Sequence, residues 1–116
     1  MSLKDKLSAY LDRPTLVPTT FVGEQVFIKP WNELEKKAWA TKSQELVKSD
    51  DVLVRCHAIV ACLSDADGHL VYREDEAEKV ARFPSNEIGR LFHEIIEVQS
   101  EPDFETLKKS SAATTN

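Results

Sequence analysis

The sequence is poor in several things, and each shortage removes a class of function. Only two cysteines occur in 116 residues, Cys56 and Cys62. They stand six apart in one apolar segment, and on a helix that spacing turns their side chains in different directions, so they read as reduced, buried thiols and not as a disulfide. The three glycines, Gly23, Gly68 and Gly89, are isolated, which leaves no glycine-rich loop to cradle a phosphate. No apolar run approaches the roughly 18 residues that a membrane span needs. The opening Met1-Ser-Leu-Lys-Asp-Lys also lacks the apolar core of a signal peptide. A protein of the cytoplasm with no membrane partner is expected. Fifteen basic residues against 20 acidic ones leave a net charge of -5, and the bases are interspersed with acids, as Lys36 and Lys37 are beside Glu33 and Glu35. Without a basic stripe the field repels phosphate backbones, so nucleic acid is not an expected partner.

What is present is enough to fold. Hydrophobic residues make up 41% and charged residues 30%, far from the depleted composition of disordered chains. A chain of this length fits one domain and buries roughly two-thirds of its unfolded surface. The expected architecture is α+β and mainly helical: a small helical domain with one or two short β-hairpins. Residues 1–20 are expected as an N-terminal helix and linker, 21–107 as a single globular domain, and 108–116 as a disordered C-terminal tail of small polar residues.

Leu3, Leu7, Tyr10 and Leu11 fall at helical spacing until Pro14 and Pro18 end the pattern. The β-formers Phe21, Val22, Val26, Phe27 and Ile28 flank Gly23-Glu24, which predicts a hairpin with a two-residue turn there, closed by Pro30. Asn32 with Glu35 three residues on predicts a capping box, opening a helix to about Lys48 with Leu34, Ala38 and Trp39 in its apolar stripe. From Asp50 or Asp51, the spacing of Val52, Leu53, Cys56, Ile59, Val60 and Leu63 predicts a central core helix. Its β-branched residues also suit a strand, but about 12 residues is long for one. Asp67-Gly68 predicts a second tight turn, with Leu70-Val71-Tyr72 as a short strand. The acidic Glu74-Asp75-Glu76 favours a helix through Arg82, stopped by Phe83-Pro84. Ser85 is the expected N-cap of the clearest amphipathic helix, carrying Ile88, Leu91, Phe92, Ile95 and Val98, which Pro102 ends; Phe104 and Leu107 suit one further turn.

Sites for chemistry are weak throughout. Asp65, Asp67, Gly68 and Glu74 match positions 3, 5, 6 and 12 of a calcium loop, but position 1 is Leu63, so an Asp-Gly turn is the better reading. Cys56-His57 suggests a thiol nucleophile, yet adjacent helical residues diverge by about 100°. Cys56, His57, Cys62, His69 and His93 lack the short clips of a zinc site. No catalytic residue, metal or cofactor is therefore expected, and the chain is not expected to be an enzyme. Trp31 and Trp39 lie eight residues apart, slightly over two helical turns, and core packing is weighed against burial in an interface, where tryptophan is enriched. Phe21, Trp31, Trp39 and Phe104 are the candidate protein contacts.

Read in order, the Met-Ser-Leu-Lys-Asp-Lys-Leu opening, the β-segment ending Val26-Phe27-Ile28-Lys29, the helix with Glu33 to Trp39 and the Val-Arg-Cys core helix resemble the tail assembly chaperones of siphophages. Asp65-Ala-Asp-Gly, Leu-Val-Tyr, the Glu-Asp-Glu-Ala turn and the Leu91-Phe92 helix extend the likeness over nearly the whole chain. The resemblance implies a protein that binds the tape measure protein and helps recruit major tail tube subunits, acts in the cytoplasm of the bacterial host, stays out of the mature virion and needs no cofactor. It also implies a homo-oligomer, ring or spiral, and a longer frameshifted product for which Lys108-Lys109 suits an A-rich slippery site. Two other classes stand beside it: a structural tail component such as a connector or completion protein, and a small hydrolase dependent on Cys56.

Overall fold

In the computed structural model, residues 2–12, 15–49 and 53–100 are described, and the structural statements below concern these. They form five α-helices and one three-stranded antiparallel sheet, the mainly helical α+β architecture expected. In chain order these are α1 (Leu3–Asp12), β1 (Val17–Phe21), β2 (Glu24–Ile28), α2 (Glu33–Lys48), α3 (Val54–Cys62), β3 (Leu63–Ser64), a 3-10 turn (Glu74–Glu76), α4 (Ala77–Val80) and α5 (Ser85–Gln99). The expectations for Asp50 to Val52 and for everything after Ser100, Phe104 and Leu107 included, lie outside the described residues.

Helix α3 forms the centre, with Cys56, Ala58, Ile59, Val60 and Cys62 buried. Helix α5 covers it with Ile88, Leu91 and Ile95, at the i, i+3, i+7 spacing of one helical face, and α4 adds Ala77 and Val80. The sheet contributes Phe21 and Ile28 to the same cluster. Arg90 fastens α5 to the hairpin: its guanidinium donates to the Thr20 carbonyl at 2.5 Å, to Glu87 Oε2 at 2.6 Å and to Glu94 Oε1 at 3.1 Å. The Thr19 hydroxyl donates to Glu94 as well.

The hairpin forms, but its turn is one residue earlier than expected. Val17 pairs with Ile28 and Phe21 with Glu24, so Val22 and Gly23 make the turn. Both have positive φ, 47° and 82°, as in a type I′ turn whose twist matches the strands. Moving a two-residue turn by one position shifts each cross-strand partner by two, so Phe21 and Ile28 share the core-facing side in either register, and facing alone does not choose between the two turns. The turn that forms places a β-branched residue in the left-handed region.

Three other expectations also shift. Leu63, expected on the α3 face, is extended and starts β3, which pairs with β2 through Phe27–Ser64 and Ile28–Leu63. Leu70 makes a single bridge to Ser64 in place of the strand expected at 70–72. A buried residue four after Ile59 satisfies either path, so spacing alone cannot separate them. Pro84, not Ser85, takes the N-cap position of α5, and no side chain caps that end.

Helix α2 starts where expected: Asn32 Oδ1 accepts from the Glu35 N–H at 2.8 Å, and Glu35 Oε1 accepts from the Asn32 N–H at 3.1 Å. Its stripe does not behave as expected. No residue of α2 is buried, Leu34 is 79% exposed, Ala38 is exposed and Trp39 is half-buried. The core is already closed by the sheet, α4 and α5, so the apolar side of α2 has no interior left to enter.

The strain at Val22 is testable. Val22→Asn, which suits a left-handed turn position and removes a largely exposed side chain, should raise the free energy of unfolding by about 1 kcal/mol in urea titrations. An unchanged or lower midpoint would contradict the left-handed geometry at Val22.

Candidate protein-contact groove

The apolar side of α2 borders a groove of about 800 Å³ that runs between this helix and the surface made by α3 and Leu70. Trp31, immediately before the helix, sets its geometry. The Trp31 backbone N–H donates to Gln99 Oε1 at 2.8 Å, its indole Nε1 donates to the Ala61 carbonyl at 3.3 Å, and Gln99 Nε2 donates in turn to the Lys29 carbonyl at 3.0 Å. The ring is therefore tied to α3 and the Trp31 backbone to α5. Trp39 meets it with ring centroids 5.5 Å apart and planes inclined by 36°, a packed aromatic pair on the groove wall.

Leu34 and Ala38 extend the wall along α2, and Val60, Ala61 and Leu70 line the opposite side. Charged residues ring this apolar strip: Glu35, Glu45 and Glu74 with Lys37 and Lys42. Lys42 Nζ reaches Glu74 Oε1 at 3.1 Å and joins α2 to the 3-10 turn. Such an exposed pair adds little to stability. An apolar strip with a polar rim is the pattern of a surface that holds another protein.

Of the four candidate contacts, Trp31 and Trp39 come together at this groove. Phe21 is 3% exposed and packs edge-on against Phe83 with centroids 4.9 Å apart, which places it in the core. Phe104 lies outside the described residues. Leu34 and Leu70 were not among the candidates, because hydrophobic spacing marks an apolar face without saying whether anything covers it.

Comparison with known proteins gives the fold a precedent. The chain superposes on the structure of the bacteriophage HK97 tail assembly chaperone with a TM-score of 0.56 and 22% sequence identity, over 89% of this chain and all of that one. The chain shares the fold of a phage tail assembly chaperone. No protein-family model matches the sequence, and no curated protein does.

Asp65 Oδ1 accepts from the Asp67 N–H at 2.9 Å and the His69 N–H at 3.1 Å, and Gly68 has φ 85°, which is an Asp-Gly turn. The backbone hydrogen bond from His69, with those from its neighbours, holds the Asp65 carboxyl below its usual range. Asp65, Asp67 and His69 bring ligand-capable atoms within 4.8 Å of one another, all exposed. Leu63, at the first position of the calcium-loop alignment, is a buried strand residue. Cys56 is 4% exposed and does not line the groove.

Cys62 is fully buried and its Sγ donates to the Ala58 carbonyl at 3.3 Å. Burial pushes its thiol up from 9.0 to about 12. A raised folded-state pKa favours the protonated native form, so this contribution to stability is intact below pH 9 and is lost as pH rises from 9 towards 12, where the unfolded thiol ionises first. Stability should therefore fall above pH 9, by up to about 1.4 kcal/mol per pH unit from this group. Cys62→Ala, less stable at neutral pH, should show a shallower alkaline slope in denaturant titrations. Identical slopes in the two proteins would show that Cys62 is not the desolvated thiol described.

Proposed function

We propose that this protein is a phage tail assembly chaperone that holds an apolar helical segment of the tape measure protein in the Trp31–Trp39 groove and helps recruit tail tube subunits. The observation that carries the proposal is the groove itself, an apolar strip left uncovered on a fold shared with the HK97 chaperone. An amphipathic helix laid into such a groove buries its apolar face without rearranging the host. Anchor residues of this kind, aromatic and partly enclosed, supply most of the affinity in many interfaces.

In this reading the chain works in the host cytoplasm, many copies coat one long client, and the copies leave before the virion is complete. Multiple weak sites along one client give high overall avidity while each contact stays reversible. Self-association as a ring or spiral belongs to the same proposal, and no cofactor enters it. Among the described residues no helix is long and apolar enough to cross a membrane.

Co-expression with the tape measure protein tests the proposal. The native chain should keep the client soluble and elute with it. Leu34→Glu, at a position too exposed to matter for folding, and Trp39→Ala should each weaken the complex by about tenfold or more, the scale of a disrupted contact centre. A client equally insoluble with and without the chain, or bound equally well by the Leu34→Glu variant, would overturn the assignment of the groove.

A further inference from the structure

A second uncovered apolar surface lies at the other end of the chain. Every residue of α1 from Leu3 to Leu11 is exposed, although Leu3, Leu7, Tyr10 and Leu11 share one helical face. Leu7 is 63% and Leu11 77% exposed. A helix of ten residues is below the length of about 12 to 15 at which helices persist unaided in water, and most helices owe their stability to a packed face. Nothing within the described chain covers this one.

The groove has complementary features. Helix α1 is about 15 Å long and α2, with 16 residues, about 24 Å, so the shorter helix fits along the longer. Lys4 and Lys6 flank the leucine stripe on its two sides, while Asp5 and Ala9 lie on the opposite face. The groove rim carries three acids, Glu35, Glu45 and Glu74, against two bases, and one of those bases, Lys42, is already paired with Glu74. A leucine stripe edged by lysines therefore meets an apolar strip whose surplus charge is negative.

We infer that α1 of one copy seats its Leu3–Leu7–Leu11 stripe in the Trp31–Trp39 groove of a second copy, joining subunits head to tail. The inference rests on the groove being a docking surface, as the proposed function does. The two partners differ, so the contact is heterologous, and each added copy presents a fresh arm and a fresh groove. One arm covers less than the about 1,600 Å² of a standard interface, which makes each junction weak and concentration-dependent. The arm and the client compete for the same strip, so within an assembly a client helix takes a groove only by displacing the neighbour's arm.

Complementation between two variants of the full chain tests this. Leu7→Glu disables the arm and Leu34→Glu disables the groove; both positions are exposed, so circular dichroism should show native folding in each. In sedimentation up to about 100 µM the native chain should gain mass with concentration, and each variant alone should associate at least tenfold more weakly. Mixed in equal amounts, the two should form a heterodimer and grow no further, because the one intact arm meets the one intact groove. A native chain that stays monomeric over this range, a Leu34→Glu variant that associates as the native chain does, or a mixture that stays monomeric would each overturn the inference. Leu7→Glu should still bind the tape measure protein, so loss of self-association and loss of client binding are separately readable.

Discussion

Helix α3 needs to be covered on nearly every side, and the placement of the other elements follows from that need. Ile59 and Cys62 are fully buried, Val60 and Cys56 nearly so, and Arg55 alone on this helix is exposed. The sheet meets it through Ile28 and Leu63, α5 through Leu91 and Ile95, and α4 through Val80. Each buried side chain of this size contributes about 1.5 to 3 kcal/mol by leaving water. The hairpin that supplies Phe21 and Ile28 holds Val22 in a disfavoured backbone region.

Satisfying α3 from those directions has a consequence for α2. Only its strip beside α3 is sheltered, and the side carrying Leu34 and Ala38 stays in contact with water. The tryptophan pair prevents collapse of this strip, since Trp31 is pinned by hydrogen bonds to Ala61 and Gln99 while Trp39 leans on its ring. An uncovered apolar strip beside a rigid wall is unfavourable for an isolated protein and useful for one that must take up and release another. Cys62 is desolvated in the core, and Asp65 holds a turn.

Most of the elements were legible from residue spacing and capping chemistry. The Asn32–Glu35 box and the Ile88–Leu91–Ile95 face follow from local rules, and both are present in the structure. What spacing could not convey was competition for the interior. Leu34 and Leu91 have the same polarity and similar periodic neighbours, yet one is 79% exposed and the other buried, because only tertiary packing decides which apolar face finds room. Leu63 was misplaced for a related reason: helix and strand both bury it, and the sheet needed a third strand. Trp31 lies outside α2, so helical spacing does not account for its contact with Trp39, and Leu70 reaches the groove only through the fold of the 65–70 turn.

The proposed client site is the uncovered strip of α2. A photoreactive residue at position 34 in the native background, activated in cells assembling tails, tests it directly. Crosslinking from position 34 to a tail protein, with none from the exposed position Glu78 on α4, is the result predicted. Silence at position 34, or equal labelling from both positions, would contradict it.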